Sequence, residues 1–498
     1  MNVNDLLALV PLIIISAIPV VLMIVVTVVR DRKLSNVITL LGLIAALIAA
    51  LDQFSEPAIQ ITPLLYLDPF NLLFVIAILI SAIAVTMLSL DYFDDVVGLI
   101  DEYYILLSIA VLGAAVLICS SHMASFFIGI EMLGLSLFAM VGYLVAEPAD
   151  NQKRAGTLEG SVKYLILSGV SSAFLLFGMA LVYADTGAML FTELRKALVA
   201  GELMAGYSLI GFVMITIGLG FKLSLVPFHI WTPDVYEGAP LPVTTFLATI
   251  SKVAVCAFGL RFFLEAGMYK FTSLITMIAL LAGASMIIGN VLALRQQNLK
   301  RLLAYSSIAH FGYIMLAFVA AAQLLASQTI SVGIASQSLA VYLIAYLAMT
   351  LCAFGALIAL GRQHAHHHAE FDRVEDLTGL LWQKPILAFV FIVALLSLAG
   401  IPLTLGFIAK FLLFAAGVSA QLWTLLILLV VGSALGLYYY LGVILVMIKP
   451  TESTHEGEKT KSFTWSHVVL ASLTLVTLGL GVFPAPLLNV LAQVGAAA

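Results

Sequence analysis

The chain has 498 residues, 63% of them hydrophobic and only 10% charged, with a formal net charge of −5. A soluble domain of this size needs far more charge to cover its surface, so the composition excludes one and points to a lipid-embedded chain. The small net charge argues neither for nucleic acid nor for an acidic partner; the distribution of charge along the chain carries the information.

Apolar runs of roughly 18–25 residues, each able to cross a hydrocarbon core about 30 Å thick, recur from end to end. They predict an all-α polytopic membrane protein of about fourteen spans: 6–29, 35–51, 67–90, 103–120, 123–145, 158–183, 204–226, 243–264, 272–293, 302–323, 335–361, 385–416, 422–448 and 464–493. Connections are short, so the whole of 1–498 reads as one integral domain. The first run is too long for a signal-peptide core and no Lys or Arg precedes it, so it reads as a retained helix.

After span three, Asp91, Asp94, Asp95, Asp101 and Glu102 read as a solvated acidic loop or a docking surface. Cys119, Cys256 and Cys352 lie far apart in apolar runs, without CxxC, haem or zinc spacing, and read as inert thiols. No dinucleotide fingerprint, P-loop or HExxH is present. Redox or nucleotide chemistry, if it takes part, belongs to other chains. The HAHHH run at 364–368 reads as a solvated loop rather than a metal site.

Basic residues in alternate loops are unequal. Arg30, Arg32, Lys33, Lys153, Arg154, Arg295, Lys300, Arg301, Arg362, Arg373, Lys384, Lys449, Lys459 and Lys461 fall on one side. Only Arg195, Lys196, Arg261 and Lys270 fall on the other. The positive-inside rule places the first set in the cytoplasm and both termini outside.

Four lysines remain, Lys163, Lys222, Lys252 and Lys410, and all lie inside predicted spans. Each costs about 2.5–3.5 kcal/mol at a helix centre, so each must be paired, hydrated or neutral. Lys222 sits five residues before Pro227, which removes a backbone donor and opens the helix; a hydrated cavity beside a broken helix is the reading. Lys252 lies nine residues into span eight, about 14 Å along the helix and near the midplane. Lys410 follows Gly400, Pro402 and Gly406 in the outer half of span twelve. Lys163, with Glu159 four residues before it, is either an entry station or a helical ion pair. Glu131 is the acid found well inside a span; proton affinity at Lys222 is expected to follow its distance from this carboxylate. His229 and His310 are candidate proton relays, or simply hydrogen-bonded to neighbouring helices.

The stretches GFKLSLVPFHIWTPDVYEGAPLPVTTFLATISK, YSSIAHFGYIML, VKYLILSGVSSAFLLFGMALVY and EDLTGLLWQKPILAFVFIVALLSLAGIPLTLGFIAKF resemble the N-subunit family of proton-pumping NADH-quinone oxidoreductase, respiratory complex I. The resemblance covers nearly the whole chain. The WTPDVYEGAP turn is similar to the N subunits rather than to their L and M relatives or to Mrp-type cation antiporter subunits. It implies two inverted five-helix repeats, with helices seven and twelve broken. Three N-terminal helices occupy 1–102, the repeats occupy 103–264 and 272–448, and a C-terminal helix occupies 464–498. By the same resemblance Glu131, Lys222, Lys252 and Lys410 match the family's main proton path, and Lys163, His229 and His310 its auxiliary stations.

The function so implied is proton translocation in the membrane arm of a translocase, with no redox chemistry on this chain. NADH, FMN, iron–sulfur clusters and quinone are expected on partner subunits. The remaining partners are other membrane-arm subunits and the bilayer, in a bacterial inner membrane; no nucleic acid is involved. The alternative is a Mrp-type or stand-alone sodium/proton antiporter, which would work without electron transfer. A purely structural membrane subunit fits less well with two broken helices at lysines.

Overall fold

A computed structural model describes residues 3–95, 100–144, 151–200, 206–326, 332–361, 372–450 and 465–497. The N-terminal part contains α1 (Val3–Val28), α2 (Arg32–Gln53), a two-stranded antiparallel ribbon of β1 (Ile59–Thr62) and β2 (Leu65–Leu67), and α3 (Pro69–Tyr92). Next come α4 (Asp101–Ile118), α5 (Met123–Val141), α6 (Asn151–Thr186) and a short α7 (Phe191–Ala200). The seventh predicted span is α8 (Tyr207–Lys222) and α9 (Trp231–Gly238). The eighth is α10 (Leu241–Phe246), one wide π turn (Leu247–Ser251) and α11 (Lys252–Glu265).

The second half contains α12 (Thr272–Ala293), α13 (Leu299–Ala326), α14 (Val332–Gly361) and a single turn, α15 (Leu380–Gln383). It continues through α16 (Pro385–Ala399), α17 (Leu405–Ser419), α18 (Trp423–Ile448), α19 (Trp465–Val482) and α20 (Ala485–Ala497).

Among the described residues, twelve helices are long and apolar enough to cross a membrane. With the divided helices α8/α9 and α16/α17 they make the fourteen expected spans. Three local features differ from the sequence reading. The β-ribbon and α7 occupy connections for which no element was predicted, and the last predicted span divides at Phe483–Pro484 into α19 and α20. Proline cannot donate to the helix ladder, and Pro484 and Pro486 fall where the break occurs.

Helix ends are capped locally. Asp31 accepts from the Lys33 amide, Asp68 from that of Asn71 at 2.8 Å, and His122 Nδ1 from that of Ala124 at 3.0 Å. Gly400 ends α16 in the left-handed conformation, φ +83°. The segments α10–α11, α13 and α14 are buried almost all round and form the centre, while α1, α2, α6 and α19 show broad apolar faces to the outside.

Several helix pairs are held at backbone contact by glycine; in α6 and α8, Cβ atoms on Gly178 and Gly211 would each lie 2.6 Å from the other residue's carbonyl oxygen. A Cβ on Gly113 of α4 would lie 2.6 Å from the Leu133 amide nitrogen, and one on Gly129 of α5 2.7 Å from that of Leu117. In the second half, Gly289 of α12 faces the Ala309 nitrogen at 2.8 Å and Gly312 of α13 faces that of Met286 at 2.7 Å. Between membrane helices, where no hydrophobic effect drives association, such close approach supplies the packing energy.

The acidic loop is not a uniformly solvated face. Asp91 is buried and accepts from the amide and hydroxyl of Ser466, which docks α19; Asp101 is buried and accepts from Ser35. Asp94 and Glu102 accept from Arg32 and Arg30. The side chain of Asp95 lies outside the described residues, as do the His-rich run 364–368, Arg362, Lys459 and Lys461.

Candidate functional site

The polar residues of the interior fall into several clusters, each built around one of the candidate lysines or His310. Lys163 of α6, its side chain 40% exposed, meets Glu159 and lies 2.7 Å from Asp234 Oδ2 on α9. Arg301 of α13 takes the other Asp234 oxygen at 2.8 Å and Glu237 at 2.8 Å. Lys300, read from the sequence as a loop cation, is buried instead. Its Nζ donates to the carbonyls of Glu237 (3.3 Å) and Ala239 (3.1 Å), at the C-terminal, negative end of α9. Lys163 therefore belongs to a network joining α6, α9 and α13, not to a simple i,i+4 pair.

Lys222 is the last residue of α8 and is 7% exposed. Beyond it the chain turns through Ser224, at φ +61°, and a cis Val226–Pro227 peptide. Backbone groups freed by this break are taken up within the protein: Trp231 Nε1 donates to the Phe221 carbonyl and the Val226 amide to Ser285 Oγ. The Lys222 ammonium donates to Ser168 Oγ at 2.7 Å. One turn further along α6, Ser172 donates to Glu131 and also to the Ser168 carbonyl. Glu131 and Lys222 form no ion pair within 4.0 Å; two serines on consecutive turns stand between them. A Cβ on Gly134 would meet Lys222 Nζ at 2.9 Å, so the missing side chain makes room for the ammonium one turn from Glu131. Glu131 itself is half-buried.

Lys252 opens α11 directly after the π turn, a distortion that recurs at functional sites. It is 1% exposed, donates to Ser307 Oγ at 2.8 Å and faces the rings of Phe311 and Tyr236 at 5.2 and 5.6 Å. Tyr346 donates to the same serine oxygen.

His310, also buried, has a tyrosine on each ring nitrogen: Tyr342 at Nδ1, 2.8 Å, and Tyr440 at Nε2, 3.4 Å. Lys410 of α17 folds back over Gly400, donates to the carbonyls of Leu398 (3.1 Å) and Ala399 (2.8 Å), and lies 5.4 Å from the Tyr313 ring centre. Thus the structure brings Lys222, Lys252, His310 and Lys410 into the interior and leaves His229 apart. That histidine is half-buried in the break, and no hydrogen bond joins it to another candidate station.

Sequence reasoning missed the partners of the candidate lysines and of His310. Ser168 and Ser172 were legible as an i,i+4 pair on one helix face, whereas nothing in the sequence linked Ser307 or Asp234 to a lysine, or Tyr342 and Tyr440 to His310. It also misplaced Arg261 in a loop. Arg261 lies within α11, 8% exposed at the side chain, in a two-bonded ion pair with Asp68 and a third bond to Glu265. Burial of an arginine needs such a partner, and Asp68 is 193 positions away.

Two discontinuous helices, each with a buried or half-buried lysine at its break, define an antiporter-like membrane subunit. Residues 120–436 match the family model described as NADH:quinone oxidoreductase/Mrp antiporter, TM. NADH-quinone oxidoreductase subunit N of Methylococcus capsulatus is 43% identical over 99% of this chain and 96% of its own. A chain of respiratory complex I from Thermus thermophilus is 31% identical, with a TM-score of 0.79 over 96% of this chain and 98% of that one. The Mrp complex from Dietzia sp. DQ12-45-1b matches 100% of this chain and 97% of its own with a TM-score of 0.83 at 18% identity, a likeness of fold alone. The chain belongs to the NADH:quinone oxidoreductase/Mrp antiporter membrane family, within its subunit N group.

Proposed function

We propose that this chain is a proton-translocating membrane-arm subunit of NADH-quinone oxidoreductase, driven by quinone reduction on partner subunits. NADH, FMN, iron–sulfur clusters and quinone belong to those partners in this reading. The single observation that carries it is the company of three lysines. Among the described residues, Lys222, Lys252 and Lys410 meet hydroxyls and backbone carbonyls and no carboxylate within 4.0 Å. Arg261–Asp68 is what a fixed buried pair looks like in the same chain, each carboxylate oxygen bonded to one guanidinium nitrogen. A lysine held by neutral acceptors can give up its proton without stranding a buried anion.

In this reading a proton enters by way of Lys163 and loads Lys222. Charge movement around Glu131, transmitted through Ser172 and Ser168, releases it towards Lys252, His310 and Lys410. His229 is an auxiliary group at the break. The unequal loop charges support a bacterial inner-membrane orientation with both termini on the outer side. The glycine contacts of α4/α5 and α12/α13 support two repeats, 103–264 and 272–448; five spans apiece, an odd number, make the second inverted. The three N-terminal helices of 1–102 and the C-terminal 464–498 flank them.

The test is Lys222→Ala and Glu131→Ala in the assembled complex in membrane vesicles. Protons moved per electron fall strongly while NADH-to-quinone electron transfer remains measurable. An unchanged yield in both variants overturns the proposal, and sodium uptake by the chain alone under a pH gradient favours the antiporter reading.

A further inference from the structure

His310 is buried, and Tyr313, whose ring lies beside it, also faces Lys410. The imidazole is walled by aromatic rings: Tyr313 and Tyr346 lie 5.7 Å from it and Tyr342 5.9 Å, centre to centre. Two phenols reach its nitrogens, Tyr342 of α14 at Nδ1 and Tyr440 of α18 at Nε2, and the Tyr440 hydroxyl also bonds Ser306. A neutral imidazole carries one N–H and one bare nitrogen. One phenol must therefore donate to the bare nitrogen while the other accepts, and exchanging the tautomer reverses both roles.

We propose that Tyr342 and Tyr440 are positioning residues that make His310 a two-sided relay, and that the proton crosses the centre by exchange of its tautomer. This rests on the proton-path reading above. In each passage the donating phenol gives its O–H proton to the bare ring nitrogen and takes the incoming proton in its place. The opposite ring N–H passes its proton to the accepting phenol, which releases one onward. The ring ends neutral in the other tautomer, and reorientation of the ring and the two hydroxyls restores the starting state before the next proton. The arrangement brings α18 into the route through a single hydroxyl. It also gives a reason for the neighbouring serines: Ser307 faces Lys252 and Tyr346, while Ser306 faces Tyr440. By contrast Asn290, which donates to Tyr313 and accepts from Tyr439, is an amide and fixes those phenols without passing a proton.

The experiment uses the whole complex in membrane vesicles with Tyr342→Phe, Tyr440→Phe, His310→Ala and the double variant Tyr342→Phe/His310→Ala, beside Lys222→Ala as reference. Phenylalanine keeps the ring and its packing and removes one hydroxyl. The expected result is a proton-to-electron ratio in both Phe variants lowered to that of His310→Ala, with no further loss in the double variant. A merely structural role lowers the amount of assembled complex but leaves that ratio unchanged. If Lys222→Ala lowers the ratio and both Phe variants keep the parental value, the relay is overturned and the proton path stands. If Lys222→Ala also keeps the parental ratio, both fail.

Discussion

Replacing Arg261 with methionine tests the distinction drawn between fixed and working charges. The guanidinium gives Asp68 bonds of 2.9 and 2.7 Å, donates to Glu265 at 2.7 Å and lies 4.7 Å from the centre of the Tyr66 ring. Asp68 is 2% exposed, so the variant leaves a buried carboxylate with the Asn71 amide as its remaining bonded donor. Removing one partner of such a pair costs about 3–5 kcal/mol. The lost Glu265 bond adds less, because that side chain is 25% exposed and exposed pairs contribute about 1 kcal/mol at most. At about 1.4 kcal/mol per factor of ten, the folded-to-unfolded ratio falls by roughly two to three and a half orders of magnitude.

The assay is thermal unfolding of the purified complex together with the amount of this chain retained in membranes. Arg261→Met/Asp68→Asn removes both charges and keeps the oxygen that caps α3, so it recovers most of the loss. A single variant as stable as the parent, or a double variant no better than the single, refutes the reasoning.

Ser168→Ala removes the hydroxyl acceptor of Lys222 and lowers proton yield by less than Lys222→Ala does, measured as protons per electron in vesicles. Gly129→Ala drives a methyl into the backbone of α4, an obstacle that cannot rotate away, and costs about 1–3 kcal/mol, read as a lower thermal midpoint. Asp91→Ala leaves the Ser466 amide and hydroxyl without their acceptor, about 1–3 kcal/mol, and hydrogen exchange in the first turn of α19 rises.

The spans were legible because burial in lipid demands long apolar runs, and that demand acts on each segment separately. Breaks were legible at Pro227 and at Gly400–Pro402, since proline and glycine mark them locally. The lysines stood out because an ammonium in an apolar run is expensive wherever it sits. Partnerships were not legible. Lys222 with Ser168 spans 54 positions and Lys252 with Ser307 spans 55, and serine is too common in helices to announce itself. Lys300 misled for the same reason: a cation beside a loop looks solvated until the carbonyls of α9 are brought over it.

The glycine contacts of α4 with α5 and of α12 with α13 have a mechanical corollary. Rods touching at their main chains cannot slide past one another without climbing over residues that have no slack. Each half of the molecule therefore owns one stiff mast, and in the first half α8 is strapped to α6 in the same way at Gly178 and Gly211, so whatever shape change accompanies a turnover must be taken up at the joint beyond Lys222.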